Sequence, residues 1–391
     1  MHPDDDDSDS KGTGSRGFAA SLLASEVKAA SRHNVPMRRV VALFIGTRLA
    51  LALVAVTAVS TMRAGCATCA GVPMDLLGAL TRWDAGAYLD IAQSGYVGAG
   101  RESLAAYWPL YPLLVRAGAT LLGGSETAFA VSGVLVANAA LLIALAGLYA
   151  LARPRIGNDR ALLAVTYLLI YPTTIFLSAA YAESAFLAFA VMSAHQAERS
   201  HWLRSAALAA LAALTRPFGA LAVLPLIFAA RRSRSVGPRM LAIALAPLAF
   251  LAWAAYLGSI SGDPLNVVHV YAAWGSAARS PIATVADLFD PSVYGFPWFV
   301  LGLFVLFAAL AVESWRRWGW GFGTYGAAVL LVVAASGSLT SSMRYELAMF
   351  PAFVALAALT DRAALRIAWT IVSTSLALLF TGMFALYYWI G

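Results

Sequence analysis

Apolar runs of about 20 residues recur along this chain from Val40 to its C-terminus. A helix of that length crosses the ~30 Å hydrocarbon core of a bilayer. Hydrophobic residues make up 61% of the 391 residues and charged residues 12%, whereas a soluble domain is roughly 45–50% apolar. We therefore expect an all-α polytopic membrane protein, with about 11–12 transmembrane or re-entrant helices.

Residues 1–37 differ from the rest, because they open with four consecutive aspartates and continue with Ser, Gly and Lys. This composition predicts a disordered cytoplasmic tail, followed by a transmembrane domain over 38–391. The apolar runs of that domain are 40–62, 104–122, 127–152, 160–178, 180–198, 203–216, 218–230, 238–258, 296–315, 319–337, 343–359 and 366–389.

Two segments leave the topology open. Pro217 and Gly219 in "TRPFG" interrupt the stretch 203–230, which favours a re-entrant hairpin. The run 104–122 contains two prolines and Arg116, so it suits a segment that stays on the outer side. That topology puts four basic loops inside, as the positive-inside rule prefers: "RPRIGNDR", "RRSRSVGPR", "SWRR" and "DRAALR". The alternative makes 104–122 a full crossing and 203–230 a single one, which puts "RPRIGNDR" outside.

The first topology brings three less apolar segments to the outer face: 63–103, 259–295 and 337–345. Within the first, "RWDAGAYLDIAQSGY" places Asp84, Tyr88 and Ile91 on one face of an interfacial helix. Such a helix is also typical of a simple membrane anchor with solvated charges.

Several ionisable residues are expected near the same outer boundary as Asp84, where each costs several kcal/mol unless it is paired or faces a wet cavity. These residues are Arg116, Glu183, Arg216, Arg344 and Glu346. Acids and arginines at one depth are suited to hold an anionic group beside a general base. Arg48, two to three turns into the first helix, is expected to snorkel to the membrane surface.

The sequence shows no signature of a metal or nucleotide enzyme. His269 has no second His or Cys at ligand spacing, so no structural zinc is predicted. Cys66 and Cys69 form a C-x-x-C without a thioredoxin-like pattern, which leaves a local disulfide or two free thiols. No G-x-S-x-G, H-E-x-x-H or phosphate-binding glycine loop is present.

Five strings in a fixed order carry a resemblance to a known family. "RWDAGAYLDIAQSGY" is followed by "YWPLYPLLVR", "YPTTIFLSAAYAES", "LTRPFGAL" and "SMRYELAMFPAF". Together they resemble the PIG-V-like mannosyltransferases of the GT-C class, over about residues 40 to 360. The resemblance implies a polytopic GT-C catalytic domain that uses a polyprenyl- or dolichyl-phosphate mannose donor on the non-cytoplasmic side.

Residue roles follow from that resemblance. Asp84 matches the aspartate of the first outer loop and is expected to deprotonate or orient the acceptor hydroxyl. Arg216, Arg344 and Tyr345 are expected to bind the donor phosphate, because a guanidinium fork suits phosphate oxygens. The substrate-binding candidates are Trp83, Tyr88, Asp90, Tyr96, Tyr111, Tyr181, Glu183 and His269.

The expected reaction is transfer of mannose from a polyprenyl-phosphate donor to a lipid or cell-envelope glycan. A protein O-mannosyltransferase and a secondary transporter or lipid flippase are the alternatives. The Ala/Arg-rich, lysine-poor composition points to a bacterial plasma membrane, with the active site facing the periplasm or exterior. The net charge of +7 sits mostly in short loops, so no nucleic-acid partner is predicted. No cofactor is expected, although Asp84 with Asp90 or Glu183 offers ligands for one divalent cation.

Overall fold

The computed structural model describes residues 13–62, 75–98, 101–233, 242–274, 279–290 and 296–390, with only the backbone for 13–36, 62, 273 and 274. Every regular element in these ranges is a helix. The α-helices are α1 (Thr13–Met62), α2 (Leu76–Ala79), α3 (Ala85–Ser94), α4 (Leu110–Leu121), α5 (Glu126–Leu169), α6 (Glu183–Glu198), α7 (Trp202–Ala213), α8 (Val223–Arg232), α9 (Leu245–Ser261), α10 (Asn266–His269), α11 (Pro281–Ala286), α12 (Pro297–Trp318), α13 (Trp320–Ala335), α14 (Ser342–Glu346), α15 (Phe350–Leu359) and α16 (Ala363–Ala385). Short 3₁₀ helices lie at Glu102–Ala106, Thr174–Leu177, Gly219–Ala222, Val270–Trp274 and Asp287–Phe289.

Among the residues that the structure describes, four helical stretches are long and apolar enough to cross a membrane. They are Met37–Thr61 within α1, and the helices α5, α12 and α16. A fifth arises if α9 and Asn266–Ala272, which meet at 91°, form one bent span. The all-α polytopic class is thus confirmed, and α2 and α3 are short helices in the first predicted outer loop. The larger number of crossings expected from the sequence stays a prediction.

The predicted runs 160–178 and 343–359 are not continuous helices. The helix of the run 160–178 ends at Leu169, and no α-helix resumes until Glu183. The run 343–359 is divided into α14 and α15. At both places the apolar run therefore does not correspond to a single helix. Pro172 and Pro351 explain the interruptions, because proline lacks an N–H and disfavours helical geometry in the residue before it.

Arg48 stabilises the first of these breaks. Its Nη1 donates to Ser178 Oγ at 2.6 Å, and its Nη2 donates to Thr174 Oγ1 at 3.1 Å and to the Leu169 carbonyl at 3.2 Å. The last carbonyls of a helix have no partner within it, so a guanidinium is an effective donor there. The prediction that Arg48 snorkels was wrong, because the break offers it acceptors inside the protein.

The basic loops gather at one end of the bundle. Arg160 from "RPRIGNDR" forms an ion pair with Asp361 from "DRAALR". Arg155, Arg232 and Arg317, from three different loops, line one cavity. The alternative topology would separate these residues across the bilayer, and α4, with 12 residues or about 18 Å, is too short to cross. The structure therefore favours the hairpin at 203–230.

The turn of that hairpin yields a stability prediction. A Cβ at Gly219 would collide with the backbone carbonyl of Ala212, whereas a Cβ at Gly302, on α12, would meet nothing within 4 Å. Gly219→Ala should lower the free energy of unfolding by about 1–3 kcal/mol, because backbone must shift to relieve the overlap. Gly302→Ala should be neutral or slightly stabilising, since alanine is the better helix former.

Apparent melting temperature, measured in detergent by tryptophan fluorescence, compares the two variants with the wild type. Equal melting temperatures for Gly219→Ala and Gly302→Ala would contradict the close packing at this turn.

Candidate functional site

Asp84 occupies the position just before α3, in the first predicted outer loop. The preceding residue, Trp83, has φ of +58°, a conformation that is uncommon for a residue with a Cβ. Its ring packs against Tyr387 and Trp389 of the C-terminal segment, with centroids 4.8 and 5.4 Å away. Asp84 makes no side-chain cap to α3, so its carboxylate, 22% exposed, is directed to other partners.

Both oxygens of the Asp84 carboxylate accept hydrogen bonds. Tyr107 donates its hydroxyl to Oδ1 at 3.1 Å, and Arg344 donates Nη1 to Oδ2 at 2.5 Å. Burial, reinforced by the negative charge of Asp84, raises the pKa of Tyr107, so that this phenol remains a donor. Tyr96 in turn donates to the Tyr107 carbonyl at 2.7 Å. These bonds fix the direction of the carboxylate.

A buried arginine, glutamate and arginine lie beside Asp84. Oε1 of Glu183, the first residue of α6, accepts hydrogen bonds from Nε of Arg344 and Nη2 of Arg216. All three side chains are 6% exposed or less. With Asp84 the cluster contains two positive and two negative groups, so no buried charge is left uncompensated.

Aromatic rings enclose the two guanidinium groups. Arg344 lies over the ring of Tyr181 at 4.7 Å and over that of Phe176 at 5.1 Å. Arg216 lies over the ring of Tyr345 at 5.4 Å. These contacts hold the cations by their faces and leave the edges, which carry the N–H groups, for hydrogen bonding.

The cluster retains unused hydrogen-bonding capacity. Glu183 Oε2 is buried without a hydrogen-bond partner among the described residues. A guanidinium carries five N–H donors, and Glu183 and Asp84 engage only part of those on Arg216 and Arg344. Buried polar groups are normally satisfied, so an open set of this kind is suited to receive a polar ligand.

The structure brings most of the predicted site residues together. Asp84, Glu183, Arg216 and Arg344 are in direct contact. The predicted aromatic residues surround them. Trp83 adjoins Asp84, Tyr181 and Tyr345 face the arginines, Tyr88 packs edge-on against Tyr107 and Tyr181, and Tyr96 lies behind Tyr107.

Three predicted residues have partners elsewhere. Asp90 is half-exposed and forms a 3.0 Å ion pair with Arg101. Tyr111 donates its buried hydroxyl to the Gly133 carbonyl at 2.9 Å. His269 contacts Asp263 at 2.8 Å in an exposed turn.

Two further ionisable residues expected at this depth have structural contacts. Arg116 donates to the carbonyls of Ala92 and Gln93 at the end of α3. Glu346 accepts a hydrogen bond from the Tyr171 hydroxyl in the core. Neither residue joins the Asp84 cluster.

Sequence reasoning gave no role to Tyr107 or to the C-terminal aromatic residues. Tyr107 begins the string "YWPLYP", so its motif was visible although its contact with Asp84 was not. Tyr387 and Trp389 lie at the end of an apolar helix, and nothing in the local sequence distinguishes them from membrane-interface residues.

The sequence suggested that Asp84, with Asp90 or Glu183, could bind one divalent cation. Among the described residues, no group of three or more His, Cys, Asp and Glu side chains is close enough to hold a metal ion. Asp84 and Glu183 both contact Arg344, whose charge occupies the position between them. Cys66 and Cys69 lie outside the described residues.

Residues 37–233, about half of the chain, match the family model described as mannosyltransferase (PIG-V). GPI alpha-1,6-mannosyltransferase 2 of Mus musculus is 36% identical over 153 residues, which are 37% of this chain and 30% of the relative. The same-named protein of Rattus norvegicus is 35% identical over 157 residues, 38% of this chain and 31% of the relative.

The chain thus spans about a third of the length of these curated relatives. The family match covers Asp84, Glu183 and Arg216, which are three of the four charged residues in the cluster. The chain belongs to the PIG-V family of mannosyltransferases.

Proposed function

We propose that this protein transfers mannose from a polyprenyl-phosphate donor to a lipid or cell-envelope glycan, on the non-cytoplasmic side of the membrane. The observation that carries the proposal is the contact between the partly exposed Asp84 carboxylate and the buried Arg344 guanidinium. This contact places a candidate base beside a candidate phosphate-binding group. Family membership supports the reaction class.

Asp84 serves as the general base. The acceptor hydroxyl loses its proton to the Asp84 carboxylate as its oxygen attacks the anomeric carbon of mannose. The bond between that carbon and the donor phosphate oxygen breaks, and the phosphate leaves with the electron pair. Such direct displacement inverts the anomeric centre. Tyr107 and Arg344 keep the carboxylate oriented, which is the condition for efficient proton transfer.

Arg216 and Arg344 stabilise the leaving phosphate. A donor phosphodiester carries one negative charge and becomes more negative when it departs as a monoester. The N–H groups not used by Glu183 and Asp84 bind its oxygens, and the burial of both arginines strengthens these bonds.

Arg344 couples the two events electrostatically. As Asp84 takes up a proton, it loses the charge that Arg344 neutralises in the resting site. The positive charge of Arg344 then acts on the phosphate, which gains negative charge in the same step. The total charge of the site stays constant while it moves from carboxylate to phosphate, so no net charge is buried.

The two ends of α6 support the proposed side of the membrane. Glu183 begins this 16-residue helix at the site, and Glu198 ends it, about 24 Å away, in an ion pair with Arg155 of a basic loop. Basic loops favour the cytoplasmic face. This supports the proposal that the site lies at the opposite face, where a lipid-linked sugar is the available type of donor.

The position of the charges also separates a transferase from a transporter. A transporter concentrates its ion and substrate groups near the middle of the membrane. Here the cluster lies at one end of α6, beside α2 and α3 of the first predicted outer loop. A lipid acceptor and a protein acceptor require the same chemistry at Asp84, so the acceptor has to be identified from the product.

The proposed function is tested with purified protein in lipid, radiolabelled polyprenyl-phosphate mannose and an extract of envelope lipids. We expect a labelled glycolipid. Label in a protein fraction would assign a protein acceptor instead. Movement of intact donor across sealed vesicles, without any mannosylated product, would contradict transfer and favour a flippase.

Asp84→Asn should reduce turnover about 10²–10⁴-fold, because the amide keeps the shape of the side chain but cannot accept the proton. Donor affinity should remain close to that of the wild type. The control is Asp90→Asn, on the same helix but paired with Arg101, which should retain most of the activity. Substantial turnover by Asp84→Asn would remove Asp84 as the base.

Arg216→Gln should weaken donor binding roughly 10-fold or more, since it removes a charge-assisted hydrogen bond to the phosphate. The double variant Arg216→Gln with Glu183→Gln keeps the net charge of the buried cluster unchanged, so a defect there cannot be attributed to an unpaired glutamate. Exposed Arg279, paired with Asp287, provides the control substitution Arg279→Gln. Unchanged donor affinity in both Arg216 variants would contradict the phosphate assignment.

A further inference from the structure

A polar cavity lies at the end of the bundle opposite the Asp84 cluster. It has a volume of about 440 Å³, within the ~300–1,000 Å³ range of small-ligand pockets. Its walls are formed by α5 just before a kink at Gly157, where φ is +81°, and by the ends of α6, α8 and α12. The residues that matter for its chemistry are Arg155, Glu198, Phe228, Arg232, Arg317 and Trp318.

Three arginines and one glutamate give the cavity a positive charge. Arg155 is compensated, because it forms a 3.0 Å ion pair with Glu198 and donates to the Leu151 carbonyl. Arg317 pairs through Nε with Glu313, which does not line the cavity. Arg232 is exposed in the last turn of α8. Arg232 and the Nη1 and Nη2 groups of Arg317 therefore supply the positive charge of the cavity wall.

Another part of the cavity wall is aromatic and closely packed. Trp318 and Phe228 line it, and Gly319, with φ of +94°, allows the backbone to approach Phe228. A Cβ at Gly319 would collide with the Phe228 ring. Phe228 also packs edge-on against Trp320, with centroids 5.4 Å apart. Aromatic residues beside arginines at a helix end are typical of the headgroup layer of a membrane.

We propose that this cavity binds a phosphate-bearing anion through Arg232 and Arg317, with Arg155 and Glu198 fixing the wall between them. A guanidinium fork matches two phosphate oxygens, and basic pockets between membrane helices bind anionic headgroups. An anionic phospholipid and free inorganic phosphate share this chemistry. The proposal is independent of the transfer reaction, because no residue of the Asp84 cluster lines the cavity.

The experiment compares three purified proteins by native mass spectrometry and thermal shift: the wild type, Arg232→Gln with Arg317→Gln, and Arg204→Gln. Arg204 is an exposed arginine of α7 that does not line the cavity, so its substitution controls for a general loss of surface charge. Dioleoyl phosphatidylglycerol is titrated in one arm, zwitterionic phosphatidylcholine in the second and inorganic phosphate in the third.

We expect the wild type and Arg204→Gln to bind the anionic lipid equally. The double variant should bind it roughly 10- to 30-fold more weakly, as two lost surface cations imply. Binding of inorganic phosphate with the same dependence on the two arginines would assign the cavity to a free anion. Lipid and phosphate binding that is equal in the wild type and the double variant would overturn the proposal, as would equal losses in the double variant and in Arg204→Gln.

Discussion

Arg344 joins carboxylates from two distant parts of the chain, and the arrangement of the site depends on these two contacts. Its guanidinium is 5% exposed and contacts Asp84 of the first predicted outer loop and Glu183 at the start of α6. Removing one partner of a buried ion pair typically costs about 3–5 kcal/mol, because it leaves a charge without compensation. The loop that carries Asp84 is therefore held against the bundle by the same charges that the proposed reaction uses. The proposed catalytic geometry and the fold thus depend on one set of contacts.

Breaks in apolar helices make such a cluster possible. Glu183 follows the irregular segment 170–182, Arg216 lies between α7 and α8, and Arg344 is in the short α14. A broken helix frees backbone groups, which within a membrane protein must be satisfied by other protein groups or water. Side chains perform this role around 170–182: Asn138 donates to the Ser178 carbonyl, Ser184 to that of Leu177 and Ser373 to that of Ile170, all within 2.9 Å. These hydrogen bonds allow the irregular backbone of 170–182 to be buried inside the helical bundle, and Glu183 is buried directly after it.

The sequence predicted the charged cluster better than the helices that hold it. Buried Asp, Glu and Arg residues are costly enough that their presence in apolar sequence indicates a shared site, and four of them do meet. Hydropathy alone did not locate the break after Leu169, because "YPTTIFLSAA" carries no charged residue and lies between two apolar helices; Pro172 is the local signal for it. Arg48 was misassigned for the same reason, since its acceptors exist only once that break forms. Asp90 was predicted as a site residue because it belongs to the first motif, and His269 because it lies on the predicted outer side. Each instead pairs with a nearby residue, Arg101 or Asp263, which the sequence spacing does not reveal.

The proposed mechanism requires that Arg344 and Arg216 hold the donor phosphate while Asp84 faces the anomeric carbon. The most direct measurement is a cryo-electron microscopy structure of the protein with a phosphonate analogue of polyprenyl-phosphate mannose, which cannot release its sugar. We expect the phosphonate oxygens to lie within hydrogen-bonding distance of Arg216 and Arg344, and the anomeric carbon to lie on the side of Asp84. Phosphonate bound away from these arginines, for example in the basic cavity lined by Arg232 and Arg317, would contradict it.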